Sequence, residues 1–364
     1  MKTIQVKSLK QNYSILVGSG LLSKSGMLLK KVFNPGCRVM LVTQKTVPIG
    51  HRKKAEASLR KAGFQVFFYY LPQDEKAKSA NELFRLVAAL LKNGFERGDA
   101  IFALGGGVTG DVSGFAAAVY LRGIRYVQMP TTLLAQVDSS IGGKTAVNTP
   151  EGKNLVGAFN PPAMVISDVD TLKTLPSREL RAAMAEVIKY GVIADPKLFD
   201  FLEANAKKIT AKNPKALERI VSDSARIKAG VVSRDEFETK GERMILNYGH
   251  TFGHGVEGAL KYQKLVHGEA VALGMLMAAE MGVRLGLCSG NFQRRQLQLI
   301  RSFDLPVSLD RLGITTKSIF RVMAHDKKKK SGKLRFVLPE RNGLVSIVTG
   351  IEDAAILSVI DSLF

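Results

Sequence analysis

The sequence predicts two parts: an α/β N-terminal domain with a parallel Rossmann-like sheet over residues 1–176, and a mainly α-helical C-terminal domain over 177–364. Three observations carry this expectation. Short β-rich runs alternate with amphipathic stretches through the first half of the chain. One of those runs ends in a glycine-rich turn that opens a helical stretch. From Ser177 onward, apolar residues recur at helical spacing with few strand-like runs.

In order, CRVMLVT (Cys37–Thr43) reads as a buried strand and His51–Ala62 as a basic helix. QVFFYYL (Gln65–Leu71) is a second strand, followed by a helical pattern over Ala80–Asn93. AIFAL (Ala100–Leu104) and RYVQMP (Arg125–Pro130) are a third and a fourth. Strands alternating with helices of this length imply βαβ units, which bind nucleotides at the carboxyl ends of their strands. The boundary falls near 177, where TLP (Thr174–Pro176) precedes a serine able to cap a helix. Beyond it, Ser177–Ile193, Pro196–Ile209, Lys215–Val232 and Glu269–Leu285 carry helical periodicity, and LRFVLP with GLVSIVTG forms a late hairpin.

Bulk properties narrow the function. A chain of 364 residues, 46% hydrophobic and 23% charged, is long enough for two domains and too apolar to be disordered. Its two cysteines, Cys37 and Cys288, lie outside any CxxC pattern and favour a reducing compartment. The N-terminal residues lack the apolar stretch of a signal peptide, and Ala270–Ala279 is about half the length of a membrane span, so the expected location is the cytoplasm with no membrane partner. The formal net charge of +21 points to anions. The basic residues are scattered apart from Lys327–Lys330, and no nucleic-acid-binding signature is present, so nucleic acid is not the expected partner.

Two local features carry chemistry. The strand AIFAL runs into GGGVTGD, which satisfies G-x-G-x-x-G through Gly105, Gly107 and Gly110 and would let backbone N–H groups approach a pyrophosphate. The motif follows the third strand-like run rather than the first, and no acidic residue stands about 20 positions on for a ribose, so it does not name the nucleotide. Of five histidines, His250, His254 and His267 fall within eighteen residues. His250 and His254 share a helix face at i, i+4, and Glu269 lies beside His267. Three protein ligands with an open position is the catalytic-zinc arrangement, with a carboxylate a plausible third ligand. Spacing alone leaves open which two histidines ligate and which carboxylate joins them.

Together, GGGVTGDVSGFAAAVYLRGI, QMPTTLLAQVDSSIGGKTAVN, GKNLVGAFNPP, LKTLP, AEVIKYG, ILNYGHTFGH and HGEAVALGM resemble, in order, the signatures of the 3-dehydroquinate synthases, within the sugar-phosphate cyclase family. The resemblance runs from about residue 75 to 335. It implies an NAD-dependent lyase with one zinc or cobalt ion per subunit, which converts 3-deoxy-D-arabino-heptulosonate 7-phosphate (DAHP) to 3-dehydroquinate and phosphate in the shikimate pathway to chorismate and the aromatic amino acids. The steps are alcohol oxidation, phosphate elimination, reduction, ring opening and intramolecular aldol closure.

Carried over residue by residue, the resemblance makes Glu186, His250 and His267 the metal ligands and His254 a neighbour. NAD contacts would come from Glu75, Lys78, Gly107, Val108, Thr109, Gly110, Asp111, Thr131, Thr132, Lys144, Lys153, Thr171, Leu172, Lys173 and Thr174. The substrate would be held by Arg122, Asp138, Lys144, Asn154, Lys189, Lys228, Arg243, Asn247, His254 and a lysine of DKK, Lys327 with Lys328 as the alternative. The implied assembly is a homodimer with Arg122 acting across its interface. Three departures stand out: Gln44 and Lys45 follow Val-Thr where the family commonly has an acidic residue, Asp74-Glu75 replaces Gly-Glu, and the loop DEFETKGER is one residue longer.

Overall fold

The computed structural model describes residues 1–73, 75–329, 333–340 and 343–364, with the side chains of 326–329 outside the described set. The chain forms two compact units. The first comprises 1–176 and 214–237, and the second 177–213 and 238–364.

In the first unit, the strands β1 (Lys2–Val6), β2 (Tyr13–Gly18), β3 (Arg38–Gln44), β4 (Gln65–Leu71), β5 (Ala100–Gly105), β6 (Arg125–Pro130) and β9 (Met164–Asp168) make one sheet, with β7 (Lys144–Thr149) and β8 (Gly152–Phe159) forming a separate antiparallel hairpin. The order is β1-β2-β9-β6-β5-β3-β4, parallel throughout except for the β1–β2 pair. Helices α1 (Ser25–Leu29) and α2 (Ile49–Lys61) cover one face, while α3 (Ala80–Lys92) and α4 (Gly107–Val119) cover the other. Alternation along β3 makes this possible: Val39 and Leu41 join the core under α1 and α2, and Met40 and Val42 join the one under α3 and α4. Burial on both faces is why such strands read as unbroken apolar runs.

Four strands of the sheet lie where periodicity places them; β1, β2 and β9 are additional. The expected single break near 177 needs correction for α7 (Pro214–Arg234), which packs on β1 and β2 and so belongs to the first unit. Its buried stripe, from Ala216 through Ile220 to Val232, supplies the apolar face for that packing.

The second unit consists of α5 (Ser177–Ile193), α6 (Pro196–Thr210), α8 (His250–Ala259), α9 (His267–Arg284), α10 (Gly290–Ser302), α11 (Thr316–Lys329), α12 (Asp353–Asp361) and the hairpin β10 (Arg335–Pro339)–β11 (Val345–Thr349). Helix α9 packs on both α5 and α8. Close approach is decided by missing side chains. At Gly268 a Cβ would run into the Ala182 carbonyl of α5. At Gly249 it would stand 2.9 Å from the Met275 nitrogen of α9, and the φ of 78° there is itself left-handed. These contacts bring the starts of α8 and α9 to the middle of α5.

Candidate active site

Glu186 is carried in the interior of α5, while His250 and His267 are the first residues of α8 and α9. Their ligand atoms lie within 4.8 Å of one another. Glu186 Oε1 is 3.5 Å from His250 Nε2 and 3.6 Å from His267 Nε2. Tetrahedral bonds of about 2.1 Å separate donor atoms by about 3.4 Å, so the spacing suits a zinc-sized cation.

The partners of each candidate ligand fix which atom faces the centre. His250 Nδ1 donates to the Tyr248 carbonyl at 3.1 Å, leaving Nε2 as an acceptor towards Glu186. Burial pushes the His250 pKa down to about 3 against the pull of Glu186, so the ring is neutral. An unprotonated nitrogen and a carboxylate oxygen thus face each other with no proton between them, an arrangement that a cation satisfies. His267 Nδ1 donates to Glu257 Oε1 at 3.2 Å. Burial opposes a charge on His267 too, but hydrogen bonds to Glu186 and Glu257 outweigh it and raise the pKa to about 10; a metal at Nε2 would replace that proton. Glu186 is buried and ionised. Burial works against its charge, yet Lys189, His250 and His267 hold its carboxyl well below the ordinary 4.5. Its Oε2 forms a close ion pair with Lys189 Nζ, off the direction of a well-aligned hydrogen bond.

His254 lies on the same face of α8, its ring centroid 5.5 Å from that of His250 and 6.1 Å from that of His267, and its side chain is 54% exposed. A second possible ligand group, His254, Glu257 and His267, overlaps the first. The two groups share His267, whose Nδ1 is bonded to Glu257 and whose Nε2 faces Glu186. Glu257 was not singled out from sequence, although it lies seven residues after His250 on one helix face. Carboxylates bonded to the far nitrogen of a ligating histidine orient the ring and raise its basicity.

In the first unit, most of the expected nucleotide contacts follow the carboxyl ends of parallel strands of the sheet. Glu75 and Lys78 come after β4, residues 107–111 after β5, Thr131 and Thr132 after β6, and 171–174 after β9. Gly106 caps α4 in extended conformation, so Gly107, Val108 and Thr109 open its first turn with backbone N–H groups that have no helical partner, and the Gly110 N–H starts the ladder by donating to the Gly106 carbonyl at 3.1 Å. Space is tight at these glycines: a Cβ on Gly107 would stand 3.0 Å from Ser139 Oγ, and one on Gly110, 2.5 Å from Gln128 Oε1, would force the buried Gln128 amide to shift. Lys78 Nζ pairs closely with Asp111, and Asn148 Nδ2 donates to Glu75 Oε1 at 2.7 Å, tying hairpin β7–β8 to these strand ends. Burial raises the Asp111 pKa while Lys78 lowers it. Gln44 is committed to the protein: its Nε2 donates to the Pro72 carbonyl at 2.6 Å, and its Oε1 accepts from Thr109 Oγ1 at 3.4 Å. Its amide ties the ends of β3 and β4 to the glycine turn.

The expected substrate residues divide between the units. Lys228, delivered by α7, donates to Asp138 Oδ1 at 2.6 Å and to its carbonyl at 2.8 Å. Lys144, Lys153 and Asn154 sit on the β7–β8 hairpin, with Asn154 held at φ 60° by a 3.1 Å bond from its N–H to Asn148 Oδ1. Arg122 is exposed at φ 65°. In the second unit, Lys189 is buried beside Glu186, Arg243 is buried 3.4 Å from Glu238, and Asn247 is exposed just before α8. The side chains of Lys327 and Lys328, and the whole of Asp74, lie outside the described residues.

Family models for the N-terminal and C-terminal parts of 3-dehydroquinate synthase match residues 68–182 and 183–329. The chain is 45% identical over 361 residues to a 3-dehydroquinate synthase of Desulforamulus reducens and 44% identical over 362 residues to one of Nostoc punctiforme, covering 99% of each chain in both cases. Among solved structures, it is similar to the 2-epi-5-epi-valiolone synthase of Streptomyces hygroscopicus subsp. jinggangensis with NAD+ and Zn2+ bound (TM-score 0.88, 28% identity, 98% of each chain). A 2-deoxy-scyllo-inosose synthase complexed with carbaglucose-6-phosphate, NAD+ and Co2+ is equally similar (TM-score 0.88, 28% identity, 100% of each chain). A glycerol dehydrogenase of Schizosaccharomyces pombe, at 18% identity and a TM-score of 0.71 over 100% of this chain and 90% of that one, shares the fold. This chain belongs to the 3-dehydroquinate synthase family.

Proposed function

We propose that this protein is a 3-dehydroquinate synthase, a phosphate-eliminating carbon–oxygen lyase that converts DAHP to 3-dehydroquinate and phosphate using NAD and one Zn2+ or Co2+ per subunit. The observation that carries the reading is the Glu186–His250–His267 centre, with the far nitrogen of each histidine already bonded. Sequence identity of 45% to proteins named as this enzyme supports the substrate over those of the 28%-identical cyclases. The reading places the enzyme in the cytoplasm as a homodimer, with Arg122 contributing to the partner's site. Among the described residues, no helix is long and apolar enough to cross a membrane.

When bound, NAD and the divalent cation supply a reversible alcohol oxidation that acidifies the neighbouring C–H. Glu186, His250 and His267 hold the cation. Lys189 balances the Glu186 charge that burial would otherwise penalise. The first turn of α4 takes the pyrophosphate, and Lys78 is kept at that turn by Asp111. Lys144, Asn154, Lys228, Arg243, Asn247 and His254 grip the phosphate and carboxylate, fixing one conformation of a flexible acid. The family resemblance implies that the departing phosphate itself takes up the proton lost in the elimination.

The test follows inorganic phosphate from DAHP with trace NAD and zinc. Many phosphates per NAD, abolished by a chelator, are expected; stoichiometric NADH, or no phosphate, overturns the reading. A sugar phosphate without a carboxylate should release phosphate poorly, and efficient turnover of it would move the substrate towards the other cyclases.

A further inference from the structure

Gln296 occupies an unusual position. It is fully buried on α10, on the same stripe as Leu299 and Ile300, where a leucine would be expected. Its Nε2 donates to the Met275 carbonyl of α9 at 2.9 Å, which turns Oε1 towards the hydroxyl of Tyr248 at 2.7 Å. Tyr248 is also fully buried, and its hydroxyl lies 3.3 Å from the same Met275 carbonyl. Three groups separated by 21 to 48 residues therefore close one hydrogen-bonded cluster with its orientation determined, since the amide donor is used on a carbonyl and the phenol must donate.

The cluster connects to the metal centre through the backbone. The Tyr248 carbonyl accepts from His250 Nδ1, and between them lies Gly249, pressed against Met275 and Val271 of α9 in a left-handed conformation. Met275 stands two helical turns after His267 on α9. Anchoring the Tyr248 phenol to α9 and α10 thus fixes the direction of the carbonyl that selects the His250 tautomer.

We propose that Gln296 and Tyr248 are positioning residues for metal binding: the buried Gln296–Tyr248–Met275 cluster holds the Tyr248 carbonyl so that His250 presents Nε2 to the cation. This rests on the metal reading above. Loss of an outer partner of a metal ligand typically costs 10–100-fold in metal affinity. With Gln296 one step further out, about tenfold is expected.

The test measures zinc affinity by competition with a chromogenic chelator, alongside thermal unfolding, for the wild type, His250→Ala, Gln296→Leu, Tyr248→Phe and the double variant Tyr248→Phe/Gln296→Leu. Gln296→Leu strands a buried phenol and should lower both Tm and zinc affinity. The double variant removes both polar partners, a change that can be nearly neutral for stability. Its Tm should recover while its zinc affinity stays about tenfold low and the absorption spectrum of bound Co2+ stays altered. Wild-type zinc affinity in Gln296→Leu, or affinity that recovers together with Tm in the double variant, overturns the proposal. A wild type that binds no zinc, or a His250→Ala protein that binds it normally, overturns the metal reading instead.

Discussion

The proposed metal centre and the proposed nucleotide-facing strand ends would hold charged groups by different means. Around Glu186 every proposed ligand is a side chain, and each has a partner that fixes its direction: Lys189 for Glu186, the Tyr248 carbonyl for His250, Glu257 for His267. At the start of α4 the proposed ligand-facing groups are backbone N–H, and the tight space is at Gly107 and Gly110, where side chains are absent. The first arrangement is vulnerable to a lost charge or partner, the second to an added methyl group.

The largest test of this contrast is His250→Ala, expected to lower metal affinity more than about 100-fold, beyond the loss of an outer partner, and to abolish phosphate release. His254→Ala should keep its metal and lose rate. Metal content by equilibrium dialysis and phosphate assays check both, and the reverse pattern would show that His254 is the ligand. Next is Lys189→Met, which removes the lysine partner of the buried Glu186 carboxylate, leaves its compensation to His267, and should cost about 3 kcal/mol of stability in chelator. Zinc should restore much of it, because the cation takes over the compensation. An equal loss with and without zinc, read by urea unfolding, would mean that Lys189 acts only by packing. The smallest is Gly110→Ala, where the new Cβ meets Gln128 and should cost about 1–3 kcal/mol together with weaker NAD binding. Titration calorimetry that finds unchanged NAD affinity would separate this turn from the cofactor.

How much was legible follows from the range of each interaction. Strands β3, β5 and β6 announce themselves as apolar runs because both faces are buried, and the edge strand β4 does so through its aromatic and β-branched residues although Gln65 and Tyr70 are exposed. β9 does not, since MVISD is only five residues long and follows two prolines, and β1 has three exposed residues of five. The hairpin over β10 and β11 is readable because its partners are close in sequence. His250, His254 and His267 stand out by rarity, and spacing left the ligand choice open; Glu186 entered through the resemblance, being 64 and 81 positions away from the two histidines it faces. Glu257 was available on the His250 helix face and was missed. Gln296 had no signal at all: its partners lie 48 and 21 residues away, and its position on α10 reads as apolar.

Helix α7 has one more consequence. Because 214–237 completes the first unit, neither unit is a continuous stretch of chain, and no single cut at 177 yields a piece with all its own core. During synthesis, β1 and β2 wait for a partner helix encoded more than 190 residues later, after α5 and α6 have already emerged. Completion of the first unit therefore waits for 214–237, and Lys228 reaches Asp138 only once α7 has docked.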